Sequence, residues 1–315
     1  MMQNPSLSPE MPVIRPDSGM LYMIAAMLLL PVGDTLAKLL SETMNPLGVT
    51  MSRILAQALF LAPVAWVLRR RLRGSMFSPV VALSGGLLIV SLTSLITAFT
   101  VMPIATAIAI FFVEPLILTL LAGLMLGERA GPRRLIAVGV GLIGALIVIR
   151  PGFSSYGWAT LLPLVSAVVY AINMIILKRA SATRSALTVQ CGATVYAALG
   201  LMVITGGLHL AGMTGFTPQT ADLRVWALIL CAGAVAATSF VLVAEAYRNA
   251  DATALAPFQY LEIVTATALG FLVFGDFPDA LTWVGVAIIL GSGVYIFHRE
   301  QLSTTRAPRR KRGGR

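Results

Sequence analysis

Two carboxylates draw attention because everything around them is apolar. Glu114 lies in the run Ile108-Ala-Ile-Phe-Phe-Val-Glu-Pro-Leu-Ile-Leu118, and Glu262 in Phe258-Gln-Tyr-Leu-Glu-Ile-Val-Thr265. An ionisable side chain at the centre of a membrane helix costs about 2.5–3.5 kcal/mol on insertion scales, so each needs a partner, a wet cavity or a role. Two uses fit the pair. They can bind a cationic or hydrogen-bonding solute and exchange protons, or they can hydrogen-bond across a helix interface. Pro115 and Pro257 break the same two helices and free backbone carbonyls beside the carboxylates.

A second polar group comprises Asp34, Lys38 and Arg53. Asp34 and Lys38 are four residues apart, on one face of a helix, where an acid preceding a base forms an inexpensive ion pair. Arg53 would then complete a gate or meet an anionic group. Asn173, Gln190, Gln259 and Tyr260 are suited to hydrogen-bonding a heterocycle, and Tyr170 to stacking on one. Ordinary helix packing is the alternative for each of these five, since amphipathic aromatics are common in membrane helices.

The elements that must position these groups follow from composition. Of 315 residues, 57% are hydrophobic and only 11% charged, against roughly 25% charged in soluble domains. About 180 apolar residues fill about ten bilayer spans of on the order of 20 residues each. An ordinary water-soluble enzyme is excluded. The apolar runs fall at 20–40, 46–68, 79–99, 104–126, 135–149, 157–177, 188–208, 225–246, 253–274 and 280–298. Glu114 and Glu262 each lie about ten residues into their spans, roughly 15 Å deep at 1.5 Å per residue. Residues 1–19 read as a disordered lead without a signal peptide, and 299–315 as a basic cytoplasmic tail.

The catalytic inventory is thin. His209 and His298 are unpaired at helix ends, and Cys191 and Cys231 lack metal-ligand spacing, so no metal and no cofactor is expected. Gly139-Val-Gly141-Leu-Ile-Gly144 satisfies a dinucleotide-binding spacing, but that motif works only between a strand and a helix start. Here the glycines are inside a span and recur as Gly285, Gly291 and Gly293. Small residues there serve close helix packing, either within the chain or in a homodimer through spans five and ten.

The net charge of +10 does not form a nucleic-acid face, because the basic residues are clustered between apolar runs. With the N-terminus inside, 19 of the 23 Lys and Arg residues fall on the cytoplasmic side; Arg150 and Arg224 lie opposite, and Lys38 and Arg53 lie within spans. That asymmetry orients the chain with both termini cytoplasmic.

Laid on itself at an offset of 148, the sequence matches from Gly85/Gly233 through Ser91/Ser239, Ala98/Ala246 and Phe99/Tyr247 to Glu114/Glu262 and Gly127/Gly275, and then Glu128 meets Asp276. Two units of five spans are implied, 20–150 and 157–298. Five is odd, so the second unit enters the membrane inverted. The loop Glu128-Arg-Ala-Gly-Pro-Arg-Arg134 is basic and its partner Asp276-Phe-Pro-Asp-Ala280 is acidic, as opposite sides require. Inverted repeats are how many secondary carriers obtain two conformations of similar energy.

These motifs resemble the drug/metabolite transporter superfamily in its ten-helix EamA form. The resemblance rests on Ala98-Phe99 and Ala246-Tyr247, on Glu114-Pro115 and on Pro257 with Glu262, and on the endings Leu126-Gly127-Glu128 and Phe274-Gly275-Asp276. It implies an all-α membrane protein with spans one to four and six to nine around a central cavity and spans five and ten at its edge. Within the superfamily, the run Ala246 to Tyr260 is most similar to proteobacterial uptake carriers for riboflavin and S-adenosylmethionine. The expected function is therefore alternating-access uptake of a vitamin-like or nucleoside-like solute in the bacterial inner membrane. Riboflavin is favoured because the candidate residues mix both charge signs. The alternatives are a proton-coupled exporter of amino acids or drugs, and, from another class, a membrane enzyme that modifies lipid. The expected partners are the small solute, protons and the bilayer, without nucleic acid. The charge asymmetry makes its own prediction: a reporter active only in the cytoplasm is expected to be active when fused after Arg315 and silent when inserted between Thr217 and Asp222, and the reverse pattern would overturn the orientation.

Overall fold

The computed structural model describes residues 16–126, 131–180, 183–217, 222–250 and 252–305. The charge-bearing ends of the expected lead and tail, and Glu128 and Arg129, lie outside them. Twelve α-helices account for the described chain: α1 (Pro16–Leu40), α2 (Pro46–Val67), α3 (Pro79–Phe99), α4 (Ile104–Phe111), α5 (Glu114–Leu126), α6 (Pro132–Tyr156), α7 (Leu162–Ala180), α8 (Ala186–Leu210), α9 (Leu223–Asn249), α10 (Ala252–Gln259), α11 (Leu261–Phe274) and α12 (Ala280–Thr305). Two pairs, α4 with α5 and α10 with α11, are halves of single interrupted spans. Among the described residues, eight helices or helix pairs are long and apolar enough to cross a membrane, and Leu135–Ile149 and Ala280–Ile296 are shorter apolar helices. The fold is the all-helical ten-span arrangement. Helix α1 starts ahead of the expected first span, and α12 runs past 298 to Thr305.

The helix starts are written locally. Asn45 and Ser78 cap α2 and α3 by accepting from the amides of Gly48 (2.8 Å) and Val81 (3.4 Å), each followed by a proline whose missing N–H is no loss at the first helical position. Ser185, Asp222 and Asp279 do the same for α8, α9 and α12. Helix α11 ends at Gly275 in the left-handed region, φ 73°, with the Asp276 amide donating to the Gly270 carbonyl and the Gly275 amide to that of Phe271. This Schellman ending aims Asp276 back over the bundle.

The two halves pack as images of each other. Helix α1 lies on α9 and α3 on α7; α2 lies on α9 and α3 on α8; α1 lies on α11 and α5 on α7. Each contact is the repeat counterpart of the one named beside it. Two pairs, α2 with α8 and α6 with α12, join equivalent helices directly. The glycines that permit these crossings also correspond. A Cβ on Gly85 would lie 2.8 Å from the Ala193 carbonyl oxygen on α8, while one on Gly233, its repeat partner, would collide with Ala56 on α2. Without a hydrophobic force between helices in lipid, such close approach is what holds them together.

The edge pair α6 and α12 uses part of its glycine set internally. A Cβ on Gly141 would strike Leu116 and Ser292, and one on Gly144 or Gly285 would strike the facing helix, whereas Gly139 and Gly291 face open space. Beside Gly139, the side chains Ile136, Val140 and Ile143 form an exposed stripe at helical spacing, as lipid contact requires.

Gly233→Ala should therefore destabilise the purified protein by about 1–3 kcal/mol, the range for overpacking, while Gly139→Ala should change it by less than about 0.5 kcal/mol, as surface substitutions do. Thermal unfolding in detergent measures both, and equal midpoints would contradict the helix crossing described.

Candidate functional site

The site is built where two spans are broken. The fourth span stops being helical at Phe112 and Val113, where the amide of Phe112 still reaches the Ile108 carbonyl at 3.0 Å but that of Val113 tightens onto Ile110 at 3.1 Å. Pro115 explains this break, since its ring excludes the carbonyl four residues earlier and it donates no hydrogen bond. The ninth span is interrupted at Tyr260, which is 148 residues after Phe112. Pro257 lies within α10 rather than at the interruption, so the break is conserved between the repeats although the prolines are not at matching positions. As a result, Glu114 and Glu262 occupy the first turns of the half-helices α5 and α11. The partial positive charge of a helix start favours an acid there.

Around these carboxylates the structure assembles side chains from five spans. Tyr170 on α7 is within electrostatic reach of Glu114, Tyr247 and Glu262, and its ring stacks at a tilt on Phe111 with centroids 5.7 Å apart. The Tyr247 hydroxyl accepts a 2.6 Å hydrogen bond from Gln259 Nε2. Tyr247 remains 45% exposed. One carboxylate oxygen of Glu114, Oε1, is buried without a hydrogen-bond partner. Glu262 is in turn within electrostatic reach of Asp34.

Asp34 does not pair with Lys38. Its carboxylate accepts from Arg53 Nη1 at 3.1 Å, with both side chains buried, while Lys38 Nζ reaches across to Asp276 Oδ2 at 2.8 Å. The i,i+4 expectation fails for a physical reason. Arg53 is buried between α1 and α2 and would carry an uncompensated charge without Asp34, whereas Lys38, in the last turn of α1, can reach the connection at 275–279. A Cβ on Gly33 would just touch the Arg53 guanidinium at 3.4 Å, so the absence of a side chain there leaves room for it.

Three other candidates lie elsewhere. Asn173 is buried between α3 and α7, where its Oδ1 accepts from Ser84 at 2.6 Å; about two helical turns further on, Ser91 and Ser166 share a 2.9 Å hydrogen bond across the same interface. These are interhelical links. Gln190 sits one turn into α8, whose main neighbours are α2 and α3. Tyr260 stacks on Phe112 with centroids 5.9 Å apart and directs its hydroxyl to Gly293 on α12, so it pins the break to the edge helix. Sequence reasoning missed Tyr247 and Phe111. Tyr247 carried a signal, because it replaces Phe99 at the matching repeat position and so adds a hydroxyl to an otherwise apolar site.

With this geometry in view, comparison with known proteins is decisive at the level of family. A profile of the EamA-like transporter family matches residues 17–150 and 157–297. The chain belongs to the EamA-like transporter family. It is 35% identical over 205 residues to a riboflavin transporter of Rhizobium johnstonii, a match spanning 65% of each protein and thus just under two thirds of that relative. It is 26% identical over 288 residues to an S-adenosylmethionine uptake transporter of Rickettsia prowazekii, covering 91% of this chain and 94% of the other. A protein crystal structure with 18% identity superposes with a TM-score of 0.59 over 91% of this chain and 99% of that one, which bears on the fold alone. As an EamA-family protein, the chain is a multi-pass membrane transporter.

The Asp34–Arg53 pair yields a stability prediction. Arg53→Met should cost about 3–5 kcal/mol, because it leaves a buried carboxylate alone, whereas Arg53→Met with Asp34→Leu should recover most of that loss. Thermal unfolding of the three proteins reads the coupling. A double variant no more stable than Arg53→Met would show that the two charges do not support each other.

Proposed function

We propose that this transporter takes up a small planar heteroaromatic metabolite across the bacterial inner membrane by alternating access, and that riboflavin is the solute. The observation that carries the proposal is the central cluster, in which two repeat-related carboxylates, Tyr170, Tyr247 and Gln259 meet at the two helix breaks. Tyrosine rings supply stacking faces, and Gln259 with the carboxylates supplies acceptors and donors for the edges of a heterocycle and for hydroxyl groups. Asp34 and Arg53 neutralise one another, so Glu114 and Glu262 are the uncompensated acids of the site, and riboflavin is preferred to the cation S-adenosylmethionine on the stacking faces of Tyr170 and Tyr247. The relatives named for riboflavin and S-adenosylmethionine support the same solute class.

The halves relate by inversion, and equivalent interfaces α1 with α11 and α5 with α7 can exchange shapes, which supports alternation about a fixed central site. The basic clusters at Arg69–Arg71 and at Arg179 and Arg184 face the cytoplasm in this reading, and the Lys38 end faces the periplasm. Glu114, with its buried unpartnered oxygen, is the group that takes a proton or a donor from the solute. The same fold would support proton-coupled export of amino acids or drugs.

Liposomes containing the full chain should accumulate labelled riboflavin unchanged, and Glu114→Gln and Glu262→Gln should each slow the initial rate about tenfold or more, equivalent to about 1.4 kcal/mol. Uptake of S-adenosylmethionine with no riboflavin uptake would replace the solute. Normal rates and pH dependence in both variants would remove the carboxylates from the mechanism, and chemical conversion of the solute would return the enzyme alternative.

A further inference from the structure

Lys38 holds together three separate segments at one end of the bundle. Its ammonium donates to Asp276 Oδ2 at 2.8 Å and to the Met102 carbonyl at 3.3 Å, and lies 4.5 Å over the ring of Phe274. It thereby ties the last turn of α1 to the connection between α3 and α4 and to the connection between α11 and α12. The pair is sheltered, with side-chain exposures of 17% and 31%, and the acid's place is set by the left-handed Gly275 just before it. None of these contacts reaches the central cluster, so binding at Glu114 and Glu262 does not explain them.

Inversion supplies the counterpart. The helix equivalent to α1 is α7, which ends in Lys178 and Arg179, and the helix equivalent to α11 is α5. Arg179 Nη2 donates to the Met125 carbonyl at the end of α5. A basic residue closing the end of the first helix of each half thus rests on the end of the broken span of the other half, once at each face of the membrane. The two interfaces involved, α1 with α11 and α5 with α7, must open at opposite faces when a central site alternates. At the Lys38 end an ion pair, a carbonyl and an aromatic face act together, and at the Arg179 end a more exposed guanidinium donates to a carbonyl.

From this we infer that Lys38 and Asp276 form a latch that holds one face of the transporter shut, that Arg179 on the end of α5 is its repeat-related opposite, and that the balance of the two sets which face the site opens to. The inference rests on the alternating-access proposal above. It assigns Lys38 a conformational role in place of a cavity role.

Spin labels at Glu42 and Phe277, both exposed at the latched end, report its opening in full-length protein in lipid nanodiscs, with Cys191→Ala and Cys231→Ser in the background. The parent should show a predominantly short distance with a minor long-distance population. Lys38→Gln and Asp276→Asn should each raise the long-distance population several-fold, Arg179→Gln should lower it, and Lys38→Asp combined with Asp276→Lys should return the parent distribution. Unchanged distributions in both single variants, or a charge-reversed pair that stays open, would overturn the latch. No solute is needed for this measurement. If the variants respond but the parent moves neither riboflavin nor S-adenosylmethionine, the solute proposal fails and the latch stands. Should the parent transport riboflavin while the distances ignore Lys38 and Asp276, the latch alone falls.

Discussion

Hydrocarbon offers no hydrogen bonds, so every polar group inside the membrane must be satisfied by the protein itself. This requirement shapes most of what is distinctive in the molecule. A broken helix frees backbone groups and is tolerated only where other helices or a wet cavity surround it, which places the breaks at Phe112 and Tyr260 in the middle of the bundle instead of on its lipid face. Once there, the half-helix starts favour acids, and Glu114 and Glu262 occupy them. The tyrosines, Gln259 and the Asp34–Arg53 pair then supply the surroundings that two carboxylates in an apolar interior require.

The same requirement separates the polar residues that link helices from those left available. Ser84 with Asn173 and Ser91 with Ser166 spend their hydrogen-bonding capacity on each other, and they sit between helices that cross closely. Glu114 Oε1 is buried without such a partner, and Tyr247 keeps nearly half its surface open. Glu114 Oε1 thus differs from Asn173 Oδ1, which has a partner on the facing helix, although both residues looked alike as polar residues in apolar runs.

Duplication explains how a chain with few charges can build a device with two faces. Gly85 and Gly233 open equivalent crossings, and the contacts of α1, α2 and α3 recur with α7, α8 and α9. The charged residues are not duplicated as faithfully. Asp34 and Arg53 belong to the first half, whereas the acid at Glu128 recurs as Asp276. The two halves share a scaffold, and the Asp34–Arg53 pair departs from its symmetry.

The sequence by itself determined the span count, the inverted repeat and the pair Glu114 and Glu262, because hydrophobic period, span length and a 148-residue offset are properties of the linear chain. It also marked Asp34, Lys38 and Arg53 as charges in need of partners. The pairing among them was decided only by tertiary structure. Asp34 and Lys38 satisfy the local rule for an ion pair, yet a buried Arg53 on a neighbouring helix has the stronger claim on Asp34, and Lys38 finds Asp276 more than two hundred residues away. Tyr260 likewise sits next to the carboxylate in sequence but turns to α12, while Tyr247 and Phe111 join the site. Which face of a fully apolar helix looks inward is set by its neighbours on every side, and a sequence uniformly apolar around the helix carries no period from which to read it.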